Sequence, residues 1–533
     1  MLADVVLCCA GLAGGAVLLT AASRGDGASS PRRAAAHASW QTYIPGLVAY
    51  AVVLRVLYGA QIELLPEEAY YWNYSRHLDF GYLDHPPMVA WLIRGGTWLF
   101  GDTQIGVRFG ALCCGGVASW FVFRLTRNVY GERCAWLVLP LVQILPFFFF
   151  AGMLMTPDAP LTAAWAASLY YFERALHFGR LRHWCGAGFA VGAGLLSKYT
   201  IGLLGVSFLI FMVLDPPSRR WLRRFEPYAA VLIAALVFTP VILWNAQHDW
   251  ASFAFQTSRR LAEAPRFSLH KLIAGALVLL TPTGLLAVGA ALLKGSIDAP
   301  RAGRLLKTAV LVPLSVFVVF SLRHEVKLDW SGAPWVASLP LMAYGLLDRK
   351  SAGAGAGAGA GASRLQSAWP ATWVVMLLLY AAGFYHLAVG IPGLGYSSHT
   401  ELLPVAWRDL GRQIDEVAGA VRTPNGEDVL VVGMDRYFTA SERAFYSQDQ
   451  ARAVANTSSW HLFGDEGLMY ARWFPGPREV GRTLLLVAFD PGDLAAAHLA
   501  DHVGSLEPIH EGVLEQHGRV VRPYYYRVAY GYR

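Results

Sequence analysis

Long apolar runs recur through the first three quarters of the chain, and about 20 such residues cross the hydrocarbon core of a bilayer. They predict helical spans near 5–22, 41–60, 103–124, 134–152, 158–176, 184–197, 200–215, 228–245, 269–292, 306–322, 332–347 and 369–391. The first run ends in small residues, as a signal peptide would, but Arg24, Arg32 and Arg33 follow it rather than precede it, which predicts a retained anchor. From about Pro404 the pattern becomes that of a soluble domain: helix over 404–421, strand over 428–433, helix over 439–446, strand over 482–489, helix over 493–503. Strands alternating with helices predict a small α/β domain. The expected fold class is therefore a polytopic α-helical membrane protein with about 11–13 transmembrane helices and a C-terminal α/β domain. Its expected parts are an anchor and loop at 1–40, a membrane domain at 41–391 with a first outer loop at 61–102, and the α/β domain at 392–533.

Composition agrees: 55% of the 533 residues are hydrophobic and 15% charged, against roughly a quarter charged in soluble domains. The net charge of +7 is spread over short loops, which argues against a nucleic-acid partner. If the loop holding Arg32 and Arg33 is cytoplasmic, alternation puts twenty Lys and Arg inside against eight outside, the asymmetry of the positive-inside rule. The C-terminal domain and the loop holding Glu67 then face outward. The six cysteines sit in or beside apolar segments, without a metal or disulfide pattern.

Charged residues that orientation leaves unexplained all fall on the outer side. Residues 63–87 hold five carboxylates, Arg76, His77, His85 and an aromatic run that includes Tyr70, Tyr71, Trp72 and Tyr74. Pro66-Glu67-Glu68 is also how a helix starts, with acids in its first turn, but a cap does not account for Asp79, Asp84 and His85. Farther on come Asp158 after Thr156-Pro157, Lys198 in a tight hairpin, Asn245 to Trp250, and Arg323-His324-Glu325-Val326-Lys327-Leu328-Asp329. Ionisable groups near a membrane interior are candidate functional sites; the alternatives are a helix cap for Asp158, a snorkelling side chain for Lys198 and a solvated loop for 323–329. Residues 86–100, with Trp91 and Trp98, read as an amphipathic helix lying in the interface, and the Ala-Gly alternation at 351–363 as a flexible linker. Acids and bases on one face suit group transfer from a phosphate-linked donor: a carboxylate takes the proton of an attacking hydroxyl while cations stabilise the departing phosphate.

Glu67-Glu68-Ala-Tyr-Tyr-Trp, Gly81-Tyr-Leu-Asp84-His85-Pro-Pro, Thr156-Pro-Asp158-Ala-Pro, Leu196-Ser-Lys198-Tyr and His324-Glu-Val-Lys327-Leu-Asp-Trp, in that order, resemble the GT-C glycosyltransferases of the protein-mannosyltransferase-like family. That family includes protein O-mannosyltransferases and the lipid A aminoarabinose and galacturonic acid transferases. The resemblance covers roughly residues 40–350, and Val431 to Phe438 resembles the soluble tail of bacterial members. It implies inverting transfer of a sugar from a polyprenyl-phosphate donor to a lipid, glycan or protein acceptor on the periplasmic side of a bacterial inner membrane. It places Glu67, Glu68 and Asp158 as the catalytic acids, Glu67 being the expected base and Glu68 the alternative, since many members carry Asp at the first position. Asp84, His85, Lys198, Arg323, Lys327, Tyr70 and Tyr71 become substrate contacts, with His85 where members often carry Lys. It fixes no cofactor: some members use a divalent metal, for which Glu67 and Asp158 are the candidate ligands of Mg or Mn. The alternatives are a transporter or flippase of a lipid-linked sugar, whose hallmarks are internal repeats and mid-bilayer polar groups, and a cell-surface glycan polymerase or ligase.

Overall fold

Every predicted span after the first is helical: Arg32–Gln61, Gln104–Tyr130, Glu132–Ile144 continued by Pro146–Ala151, Asp158–Phe178, Leu181–Leu195, Gly202–Leu214, Glu226–Gln247, Leu269–Leu293, Pro300–Ser321, Ser338–Leu347 and Ala356–Ala388. The computed structural model describes residues 32–259, 264–294, 298–347, 356–396, 402–423 and 426–533. The expected span at 5–22 lies outside them, as does the start of the expected linker; from Ala356 onward that Ala-Gly alternation is helix instead of flexible coil.

By length and composition, six helices among the described residues can cross a bilayer, or seven if the bent pair Tyr199–Leu214 and Pro216–Arg223 is one span. The other expected spans are shorter or more polar. Leu181–Leu195 has 15 residues, and Asp158–Phe178 carries Asp158, Glu173 and Arg174 but buries most of its length inside the protein. Burial against neighbouring helices is what lets such segments stay at membrane depth.

The chain packs as two compact units. The helical unit takes the described residues up to Leu57, then His85–Met88 and Gly110–Ala382. The second takes Tyr58–Asp84, Val89–Phe109 and Gly383–Arg533, so the first outer loop shares a unit with the C-terminal domain rather than with the spans that flank it.

Within the helical unit, Leu181–Leu195 packs closely on Glu226–Gln247. A Cβ on Gly188 would sit 2.2 Å from the Ala230 carbonyl oxygen, and one on Gly192 2.7 Å from Val237, the small-residue contact by which membrane helices approach. Phe172 stacks on Phe208 at 3.9 Å between ring centres, beside the buried Trp165, Trp184 and Trp221.

The second unit is built on a sheet of order β2-β1-β3-β6-β4 with β5 on β6, the strands being β1 Leu430–Gly433, β2 Thr457–Ser459, β3 Leu484–Ala488, β4 Val503–Leu506, β5 His510–Gln516 and β6 Arg519–Tyr532. β1 is parallel to β2 and β3, while β6 runs antiparallel to β3, β4 and β5. β1 and β3 are fully buried and read from sequence as strands. β5 is mostly exposed and partly charged, and β6 is mostly half-buried with arginines interrupting its tyrosines and valines, which hides both from a hydrophobicity count; their signal is the turn at His517 and Gly518, both at positive φ. The helix expected over 493–503 is corrected to a short helix, Pro491–Ala495, and a 3-10 turn, Ala497–His502, leading into β4. The helix expected over 86–100 is present as Met88–Phe100, with Trp98 82% exposed.

Candidate active site

In the second unit the acidic stretch forms the helix Pro66–Arg76, with Pro66 at its first position, Glu67 and Glu68 in its first turn and Arg76 in its last. That order suits the helix dipole at both ends. Adjacent residues on a helix face about 100° apart, so the two glutamates part company.

Glu68 is fully buried. It accepts from the Leu65 N–H at 3.2 Å and from Arg108 Nε at 3.0 and 3.2 Å and Nη2 at 2.6 Å. Arg108 gives its remaining N–H groups to the carbonyls of Gly59, Ile62 and Glu63 at 2.8–3.0 Å. All its donors are used, and the pair staples the end of the first described span to the helix that follows it.

Glu67 is exposed. Burial and then the charge of Glu67 hold the Tyr71 phenol protonated, well above its ordinary range, and the same two causes act on Tyr437 from the C-terminal domain. Tyr437 packs its ring 4.5 Å from that of Tyr70.

The aromatic run lies in the core of this unit instead of lining an open groove: Tyr70, Tyr71, Trp72 and Tyr74 are all 5% exposed or less. Tyr70 donates to the buried Asp84 carboxylate at 3.1 Å and Tyr74 donates to the same oxygen. Tyr70 in turn accepts from the Met469 N–H at 3.2 Å. Asp84 is thus a buried anchor satisfied by two phenols. The Phe438–Tyr446 helix covers this layer, with Phe445 edge-on to Trp72 at 5.1 Å.

The other expected site residues belong to the helical unit. Lys198, between two short helices, donates from Nζ to both oxygens of Asp158 at 3.1 and 3.0 Å and to Asp329 at 3.0 Å. Burial opposes the charge on Lys198, but the two carboxylates outweigh it and raise the ammonium pKa. Burial likewise opposes charge on Asp329, and Lys198 outweighs it, holding that carboxyl below its ordinary value. The cluster has two carboxylates for one ammonium, so Lys198 is engaged; Asp329, with its side chain 46% exposed, is the partner able to yield. The segment bearing His85 is tied to the same hairpin, since the Met88 N–H donates to the Leu196 carbonyl at 2.9 Å. Arg323 and Lys327 are exposed cations in the loop that supplies Asp329.

Two residues outside the expected set matter. Arg108 is a lone cation among the apolar and small residues that follow Gln104, and a charge in such a place asks for a partner. Asp329 was visible only as one charge in a polar loop. Among the described residues no three His, Cys, Asp or Glu side chains are grouped to hold a metal ion.

Residues 84–244 match the family model described as dolichyl-phosphate-mannose-protein mannosyltransferase. The structure aligns with ArnT from Cupriavidus metallidurans in the apo state at TM-score 0.61, covering 91% of this chain and 98% of that one at 16% identity. The fold is that of the GT-C glycosyltransferases. The same enzyme bound to undecaprenyl phosphate aligns at 0.58. Among curated relatives, the lipid A galacturonosyltransferase RgtD of Rhizobium johnstonii is 29% identical over 34% of this chain, a match that spans only 38% of the relative. The lipopolysaccharide core galacturonosyltransferase RgtA of the same organism is 25% identical over 74% of this chain and 77% of its own. The resemblance seen in the ordered motifs therefore holds at the level of the fold, and the chain is a multi-pass membrane protein.

Proposed function

We propose that the protein is an inverting glycosyltransferase of a bacterial inner membrane, moving a sugar from a polyprenyl-phosphate donor to a periplasmic acceptor, with lipid A or the lipopolysaccharide core as the acceptor class. The observation that carries this reading is the division of labour between the two glutamates: Glu68 is locked in a buried ion pair, while Glu67 beside it is exposed. Support comes from the fold shared with ArnT and from the acceptors named for the relatives.

Glu67 accepts the proton of the acceptor hydroxyl as its oxygen attacks the anomeric carbon. The bond from that carbon to the phosphate breaks on the opposite face, inverting the centre. The departing polyprenyl phosphate is already a weak base and leaves without a proton. Arg323 and Lys327, both exposed, offer the positive charge that stabilises it, and His85 is a further candidate contact. Lys198 orients Asp158 in the resting state and reaches phosphate only as Asp329 yields. Mg or Mn on Glu67 and Asp158 remains a separate proposal, and no step here runs through it; loss of transfer on chelation, restored by either ion, tests it.

The experiment is transfer by the purified full-length protein from a polyprenyl-phosphate sugar to lipid A, followed by mass spectrometry. Glu67→Gln should lower turnover at least about 100-fold, the usual contribution of a general base, at unchanged melting temperature. Wild-type turnover by that variant removes the assignment of the base. Wild-type protein that moves the donor across vesicles without consuming it supports the flippase instead.

A further inference from the structure

A cavity of about 260 Å³ lies in the helical unit, and none of its lining belongs to the candidate active site. Its polar wall is Asn128, Glu173, His177 and Arg301; Leu176 and Phe211 form part of its apolar wall. It sits at the far end of the Asp158–Phe178 helix from Asp158, about 22–28 Å along the axis at about 1.5 Å per residue. By the Lys and Arg asymmetry this is the cytoplasmic end, where Arg124, Arg127, Arg174, Arg180 and Arg182 gather.

The wall offers donors, and Arg304 just outside it makes the surroundings of Arg301 net positive. Asn128 Nδ2 is buried and has no hydrogen-bond acceptor. Arg301 donates from Nε to Asp215 at 2.8 Å and from Nη2 to Ser218 at 2.8 Å. Arg304 also donates to Asp215, at 3.1 Å, so two guanidiniums share one buried carboxylate. Glu173 is the one acid in the lining, and both its oxygens are held by Arg174 at 2.5 and 2.6 Å, which answers its charge. The space is slightly smaller than the roughly 300–1,000 Å³ of pockets for drug-sized ligands. It suits a headgroup with its chain outside, not a whole lipid.

We propose that this cavity binds a phosphate group from the cytoplasmic side, with Asn128 and Arg301 as its donors. The phosphate can come from a phospholipid of the inner leaflet or from a free phosphate; basic pockets between helices on that face recognise lipid headgroups by the same chemistry. The site is separate from the proposed transferase chemistry and stands or falls without it.

The test uses delipidated full-length protein in a phosphate-free maltoside buffer, with melting temperature read against added short-chain phosphatidylglycerol or sodium phosphate. Asn128→Leu removes the unsatisfied donor without touching an ion pair, and Ala302→Trp fills the space from the Pro300–Ser321 helix. Near-saturating ligand should raise the wild-type melting temperature by about 2–5 °C, with a smaller shift in Asn128→Leu and none in Ala302→Trp. A shift with phosphatidylglycerol alone assigns the lipid headgroup, and an equal shift with sodium phosphate alone assigns the free ion. Either ligand shifting Asn128→Leu as much as wild type overturns the proposal, as does the absence of any shift in wild type. Should Ala302→Trp fail to fold, Asn128→Leu still decides.

Discussion

Replacing Arg108 by methionine should expose how much of the second unit hangs on one ion pair. Both partners are buried, with side chains 1% and 0% exposed and their closest contact at 2.6 Å. Removing one member of a buried pair costs about 3–5 kcal/mol because the other charge is stranded. Here the carbonyls of Gly59, Ile62 and Glu63 lose their donors as well, at about 1 kcal/mol each. Glu68 escapes part of the first cost by binding a proton, so the loss for Arg108→Met is on the order of 5 kcal/mol. Glu68→Gln keeps the shape and the contact to Leu65 but strands the buried Arg108 guanidinium, and should cost about 3–5 kcal/mol. The double variant strands no charge, so its loss should fall short of the sum of the singles by about 2 kcal/mol or more. The assay is tryptophan fluorescence during heating of the purified full-length protein in detergent, at one scan rate because unfolding of such chains is commonly irreversible. A wild-type melting temperature for Arg108→Met, or strict additivity in the double variant, would refute the reasoning.

Lys198→Met should destabilise the helical unit by about 3 kcal/mol, because Asp158 and Asp329 then face each other without a cation; adding Asp329→Asn should recover part of the loss, and an unchanged melting temperature in the single variant argues against the cluster. Gly188→Val should weaken the packing of Leu181–Leu195 on Glu226–Gln247, since its Cβ would lie 2.2 Å from a carbonyl oxygen, and a melting temperature within a degree of wild type contradicts that contact. Burial raises the Glu63 carboxyl to about 7 against the two N–H groups of Trp407 and Arg408 that it caps, and burial also raises Glu442. A carboxyl with a raised folded pKa stabilises most below its unfolded value and loses that contribution as pH climbs through the folded one. Stability should therefore fall between pH about 4.5 and 7, less steeply in Glu63→Gln; parallel slopes for the two proteins would oppose the assignment.

The sequence alone determined the helical spans, because a bilayer demands long apolar runs whatever their neighbours are. It also determined the candidate chemistry, because charges such as Glu67, Asp158 and Lys198 have no cheap reason to sit among such runs. Local spacing placed both Glu67 and Glu68 in a first helical turn, and there it stopped. Which glutamate is exposed was decided by Arg108, some 40 positions away. The engagement of Lys198 was decided by Asp329, which only packing of the helical unit brings to it. The aromatic run looked like a groove, and became a core layer because the Phe438–Tyr446 helix covers it. The strands β5 and β6 escaped notice because β5 is largely exposed and arginines interrupt the tyrosine and valine run of β6, so neither carries a clean hydrophobic alternation. Burial and long-range pairing are properties of the folded arrangement, and a charge reads the same in sequence whether the tertiary structure stations it at a surface or locks it into a buried pair.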